Sequence, residues 1–274
     1  MAEIISVIMN KGGVGKTSMV TNISGALSIE KDDKVLIVDT DGQGNAAITF
    51  KYDPSDFENT IYDVLIGEKN IEDVIIRINE NIDLVPANED MNFLDFEILT
   101  NLQKYSNTSD IFKLLKEALA PLHDKYDYII IDSPPSMGLV TNNVLVASDK
   151  VLLPFIPEVY NVKGLIRIIK AINEVKSKQN PSLNILGVVG MMIDNRTTLH
   201  GAYLQNAEIF CKTAGIKLFR TTVPRSIVFA NANAYDNMPA VYRDRRNKAT
   251  KAYFELLEEM LSGTSKERPV ESVR

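Results

Sequence analysis

The sequence predicts an α/β protein built on a doubly wound, mostly parallel sheet with helices on both faces. Three observations predict it. Short β-rich runs recur along the chain; most are apolar on both faces, as strands inside a parallel sheet are; and segments with helical spacing separate them, so that strand and helix alternate.

In chain order the runs are "IISVIM" (4–9), "KVLIVD" (34–39), "NIDLVP" (81–86), "YDYIIID" (126–132), "KVLLPF" (150–155), "LNILGVVGMMI" (183–193) and "KLFRTTV" (217–223). Helical spacing covers Lys16 to Glu30, Ser109 to His123, Gly164 to Lys178, Ala202 to Ala214 and Asn247 to Leu261. No internal repeat or Pro/Gly-rich linker divides these elements, so residues 1–261 are expected to form a single domain. The last stretch, "SGTSKERPVESVR" (262–274), lacks apolar periodicity and is expected to be a flexible tail.

Composition narrows the chemistry. Hydrophobic residues make up 45% and charged residues 24% of the 274, a balance that supports a folded core. There is no run of 18 apolar residues and no secretory leader, so a cytoplasmic protein is expected. The lone cysteine, Cys211, cannot form an internal disulfide or a multi-cysteine metal site, and a buried apolar role is expected for it. His123 and His200 are the only histidines, so zinc chemistry and histidine-based nucleophilic triads are poorly supplied. The net charge of −6 argues against a surface that coats nucleic acid everywhere, yet residues 211–251 hold nine basic residues against two acids.

Residues 10–17 read "NKGGVGKT", between the first strand and the first helix. A strand, a glycine loop ending in Gly-Lys-Thr and a helix together make a phosphate cradle. Gly12, Gly13 and Gly15 let successive N–H groups turn inward, and the helix adds its positive N-terminus. Lys16 is placed to reach β and γ phosphates, and the Thr17 hydroxyl to bind Mg²⁺. A dinucleotide fingerprint fails, because Ser18 stands where a third glycine is needed. Asp39 and Asp41 close the second strand on the same side, at the carboxyl end where such sheets bind ligands, and Asp132 closes "YIIID".

The general phosphate-loop pattern has a glycine where this chain has Asn10, and a second lysine, Lys11, follows at once. Here the sequence resembles the deviant Walker A family of P-loop NTPases, whose signature is "KGGVGKT", and within it the ParA and Soj branch of DNA-partitioning ATPases. The resemblance extends through "VLIVDTDGQGN", "YDYIIIDSPPSMGLVTNNVL", "VLLPFIPEVYNVKGL", "TTVPRS" and the basic start of the last helix. It implies an ATPase that uses ATP and Mg²⁺, with Lys11, Gly12, Gly13, Val14, Gly15, Lys16, Thr17 and Ser18 around the phosphates. Lys11 is implied as the lysine that crosses a dimer interface to the ATP of the other subunit, which would supply positive charge only when a homodimer sandwiches nucleotide. Asp41 is implied as the switch I residue acting on the attacking water, while Asp39 and Asp132 bind Mg²⁺ through water. Gly42 departs from the family, where many members carry proline. Adenine is expected near Asp194 and Asn195 and near Val223 and Pro224.

The same resemblance implies DNA binding without sequence preference, through Arg196, Arg225, Arg243, Arg245, Arg246 and Lys248. It also implies a centromere-binding, ParB-like partner protein that stimulates hydrolysis, and nucleoid association. The cluster "RDRRNK" (243–248) is read as beginning the last helix, where arginines oppose the helix dipole and gain nothing from it. A MinD-like membrane-cycling ATPase is the alternative. Its branch ends in a basic amphipathic helix, whereas this terminal helix carries Glu255, Glu258 and Glu259, and no membrane partner is expected. The electron-transfer relatives need cluster-binding cysteines that are absent. The chain starts just before its first strand, so no helix-turn-helix extension for operator binding is expected.

Overall fold

The computed structural model describes residues 1–105, 107, 109–158, 161–194, 196–232 and 238–262. The elements are β1 (Glu3–Val7), α1 (Lys16–Lys31), β2 (Val35–Asp39), α2 (Asn45–Thr49), α3 (Ile61–Leu65), β3 (Ile76–Arg77), β4 (Ile82–Val85), α4 (Leu94–Thr100) and α5 (Leu114–Leu119). They continue with β5 (Tyr128–Asp132), α6 (Leu139–Ala147), β6 (Lys150–Phe155), α7 (Asn161–Lys178), β7 (Asn184–Gly190), α8 (Thr198–Ala214), α9 (Ile227–Asn231), α10 (Ala240–Arg243) and α11 (Lys248–Leu261). The strands form one seven-stranded sheet in the order β3-β4-β2-β5-β1-β6-β7. All neighbours are parallel except β3, which runs antiparallel to β4 at the edge.

This order is the doubly wound arrangement expected from the alternation of elements. From β1 the chain moves outward one way to β2 and β4, then returns through β5 and moves the other way to β6 and β7. Right-handed crossovers then put α1 on one face and α6 and α7 on the other. Both faces of the central strands are covered: Val35 to Val38, Ile129 to Ile131 and Val151 to Leu153 are essentially inaccessible. α1 buries Met19, Val20, Ile23 and Leu27 against the sheet. It also packs closely on α10: a Cβ on Gly25 would lie 2.6 Å from the Val241 side chain, so the helix pair requires glycine there. α7 buries Leu165, Ile168, Ile169, Ile172 and Val175, the spacing of one helix face.

Three sequence expectations are corrected. Residues 217–223 do not form a strand: they reach the sheet as isolated bridges, Val188 with Leu218 and Ile193 with Pro224. The reason is Glu259 on α11, whose carboxylate accepts the Arg220 and Thr221 N–H groups at 3.0 Å each and takes them out of any ladder. The helix expected over 109–123 is a short α5 flanked by 3-10 turns at Asp110–Phe112 and Ala120–Leu122. Finally, Arg245 and Arg246 lie in a turn, because α11 starts at Lys248 with Asn247 as its N-cap, accepting from the Ala249 N–H at 2.9 Å. The helix-dipole argument therefore does not apply to them. Of the expected tail, residues 263–274 lie outside the described residues.

Candidate active site

The carboxyl ends of β1, β2 and β5 meet at the point where the strand order reverses, the position at which open α/β sheets bind ligands. The loop after β1 is the glycine loop. Gly13 and Gly15 have φ of 72° and 88°, left-handed values that favour glycine, and Gly15 is the residue from which α1 starts. A Cβ on Gly12 or Gly13 would meet nothing within 4 Å, so the space beside these two residues is open. The loop thus presents backbone N–H groups and the N-terminus of a sixteen-residue helix to an anion. Val14 is buried and can offer only its backbone. The Ser18 hydroxyl is turned to the Tyr253 hydroxyl on α11, 3.2 Å away, which leaves Ser18 its N–H for the cradle.

Lys16 is only 6% exposed. Burial lowers the pKa of its ammonium, opposed by the charges of Asp132, Asp41 and Asp39, the three carboxylates expected from the sequence. Its hydrogen bond to the Lys11 carbonyl is long, 3.5 Å, so the amine is weakly held and faces the acids across the cradle. Asp39 and Asp132 are register partners on β2 and β5, and both are fully buried. Burial raises the pKa of each; the Asp132 charge adds to the shift at Asp39, while the Thr17 hydroxyl and Lys16 hold Asp132 back.

Two buried carboxylates side by side are a fit for a divalent cation. Thr17 donates to Asp132 Oδ2 at 2.5 Å, and Asp132 Oδ1 is buried with no hydrogen-bond partner. Asp39 differs: its two oxygens accept from the N–H groups of Asp41 and Ala46, at 2.9 and 3.0 Å, so it shapes the loop that follows β2. Among the described residues no group of three or more His, Cys, Asp or Glu could hold a metal alone. An ion here would rely on Thr17, Asp132 and Asp39 together with water and phosphate oxygens, as Mg²⁺ commonly does. Asp41 sits in that loop, partly exposed, accepting from the Gln43 N–H at 3.1 Å.

Lys11 points elsewhere. Its ammonium donates to Glu158 Oε2 at 2.7 Å and to Asn161 Oδ1 at 3.2 Å, and nearly half of its side chain is in solvent. Glu158 and Asn161 were not singled out from sequence; 147 and 150 residues separate them from Lys11, and no local pattern marks them. Met191 and Met192 were also missed. A Cβ on Gly15 would lie 3.0 and 3.8 Å from their methyl groups, so the segment after β7 borders the loop, with Met192 in the left-handed region at φ 53°.

Asp194 and Pro224 belong to this border, joined through the Ile193–Pro224 bridge. The Asp194 carboxylate is engaged by Arg196, whose Nε and Nη2 donate at 2.8 and 2.7 Å, and this pairing holds its pKa below the usual carboxylate range. Asn195 lies outside the described residues. Arg225, Arg243, Arg246 and Lys248 are exposed. Arg245 is exposed but shared: it pairs with Glu30 at 3.3 Å and lies 5.8 Å above the Phe254 ring.

The chain matches the family described as an AAA domain over residues 2–185. The Bacillus subtilis sporulation initiation inhibitor protein Soj is 33% identical over 262 residues, covering 95% of this chain and 98% of Soj. The chain belongs to the ParA and Soj family of P-loop ATPases. Solved structures similar to this ParA family protein include cobyrinic acid a,c-diamide synthase from Mycobacterium smegmatis with bound ADP and magnesium. That structure has a TM-score of 0.80 at 28% identity, over 95% of this chain and 94% of the other. The cell division ATPase MinD of Pyrococcus furiosus is similar with a TM-score of 0.74 at 26% identity, over 95% and 98%. Among the described residues of this ParA family protein, no helix is long and apolar enough to cross a membrane.

Proposed function

We propose that this protein is an ATP-dependent DNA-partition ATPase. In this reading ATP and Mg²⁺ drive two copies into a sandwich dimer, the dimer binds DNA without reading sequence, and hydrolysis stimulated by a ParB-like partner releases it. The observation that carries the reading is the contrast between the two lysines of one loop. Lys16 is buried facing Asp39, Asp41 and Asp132, while Lys11 reaches out of its own cradle to Glu158 and Asn161. A charge held outside its own site is available to a second site. Phosphoryl transfer needs positive charge on the γ oxygens, and Lys11 would meet that need in the opposite subunit. Asp41 would orient the attacking water and accept its proton, and Mg²⁺ held at Thr17 and Asp132 would offset phosphate charge.

The MinD neighbour raises a membrane-cycling alternative. In this chain α11 packs on α1 and buries Tyr253, Leu256 and Leu257, so its apolar face is not available to lipid. Light scattering on Lys11→Ala with ATP and Mg²⁺ tests the proposal. Nucleotide binding should persist and the ATP dimer should be lost; an intact ATP dimer in that variant would refute the sandwich arrangement.

A further inference from the structure

Phe93, Phe96 and Leu99 are 61%, 69% and 56% exposed. They follow one another at three-residue spacing through a 3-10 turn (Glu89–Phe93) and α4, so they share one side, while Met91, Leu94 and Ile98 fill the core on the other. Single exposed apolar residues are ordinary; three large ones on one face mark an interaction surface. The surface has a sign. The turn and helix that carry the face, residues 89–100, contain Glu89, Asp90, Asp95 and Glu97 and no lysine or arginine.

The same segment touches both loops that flank the candidate active site. A Cβ on Gly42, one residue after Asp41, would lie 2.8 to 3.0 Å from the Asn92 amide, which is itself held by its hydrogen bond to the Glu89 carbonyl. On the other side Asp95 Oδ2 accepts the Leu139 N–H at 3.3 Å, and a Cβ on Gly138 would lie 2.8 Å from that oxygen. Leu139 begins α6, directly after the loop that leaves Asp132. A force on α4 therefore has a contact to each carboxylate-bearing loop. Gly42, which departs from the family pattern, gains a physical reason here: its missing side chain leaves room for Asn92.

We propose that the Phe93–Phe96–Leu99 face, with its acidic surround, docks a basic segment carrying apolar side chains from the partner that stimulates hydrolysis, and that Asn92 and Asp95 pass docking to the loops. The proposal rests on the ATPase reading above. Its charge complement is the argument for a basic polypeptide, since an acidic surround repels an anionic lipid surface and nucleic acid alike.

The probe is a fluorescent amphipathic peptide of Leu, Phe and Arg, compared with its counterpart carrying Glu in place of Arg. Binding is read by anisotropy, and ATP turnover is followed separately. The wild type should bind the Arg peptide, weaken with salt, ignore the Glu peptide and hydrolyse ATP faster when the Arg peptide is bound. A Phe93→Ser, Phe96→Ser variant should bind about tenfold more weakly or worse, with unstimulated turnover and melting unchanged, because both rings are exposed. Asn92→Ala, which changes no charge, should keep the peptide and lose the acceleration. The proposal is overturned by any of four results: no binding by the wild type, equal binding by the Phe variant, equal binding of the Glu peptide, or nucleotide-free self-association of the wild type that the Phe variant abolishes, which would give the face to a second copy. Absence of ATP turnover in every form would defeat the ATPase reading instead, and anisotropy would still judge the docking face.

Discussion

The carboxyl ends of β1, β2 and β5 and the basic stretch from Arg225 to Lys248 carry opposite charge, and they are built in opposite ways. At the strand ends Asp39, Asp132 and Lys16 are buried, held by sheet register and by backbone N–H groups, so each group's position depends on the others. In the basic stretch Arg225, Arg243, Arg246 and Lys248 stand in solvent, in turns or at helix ends. The difference teaches where single substitutions matter. A buried constellation fails as a unit, whereas exposed phosphate contacts add up one at a time.

The sharpest way to break the comparison is Asp41→Ala. Asp41 is the carboxylate of the buried end that remains partly exposed, and neither Asp39 nor Asp132 can replace it from inside the sheet. ATP binding and dimerisation should survive, and partner-stimulated turnover should fall by about 10² to 10⁴ fold, the span of general-base contributions. Turnover close to wild type under saturating partner and DNA would remove Asp41 from the chemistry.

The exposed end should respond in smaller, countable steps. DNA affinity measured across a salt series with ATP should give a log–log slope that flattens by about 0.9 for each phosphate contact removed. Arg225→Glu and Arg246→Glu should each show that flattening on two unrelated duplexes. Arg245→Glu should show less, because its guanidinium is already shared with Glu30 and the Phe254 ring. Equal affinity of the wild type with ADP, or a slope unchanged in a triple variant that still forms the ATP dimer, would sever the basic stretch from DNA.

Legibility in the sequence followed the same division. The buried end was readable because its signals are local: a glycine loop between strand and helix, and aspartates closing apolar runs that are covered on both faces. The two-residue β3 is too short to carry a period, and α4 hides because its apolar residues face both ways, Leu94 and Ile98 inward and Phe96 and Leu99 outward. Lys11 was readable as a second lysine, but Glu158 and Asn161, which hold it, come from the far side of the chain. The sequence places the arginines at 243–246 at a helix start, whereas α11 starts at Lys248, because Asn247, the residue that caps it, also reads as part of the basic cluster. The run 217–223 has strand composition and pairs at both ends, yet its middle is claimed by a side chain 38 and 39 residues away in sequence, roughly three turns into α11.

That side chain supports the smallest prediction and the one most specific to the region under the basic stretch. The Glu259 carboxylate accepts two backbone N–H groups at 3.0 Å, and the Lys217 ammonium lies 3.8 Å away over the Phe219 ring. Burial alone would raise its pKa, but the Arg220 and Thr221 N–H groups and Lys217 outweigh it and hold it below the ordinary glutamate value. A carboxylate whose folded pKa is depressed contributes stability above its unfolded pKa, and that contribution is lost as pH falls through the folded value. Glu259→Gln should therefore cost about 1–3 kcal/mol at neutral pH, the range for hydrogen bonds to a charged group and for leaving buried donors unpaired. The cost should shrink as the wild type is titrated below the ordinary glutamate pKa of about 4.3. Urea unfolding of both proteins at neutral and acid pH measures it. A deficit that stays constant with pH would mean that shape rather than charge fixes this corner, and the strand interruption at 220–221 would need another cause.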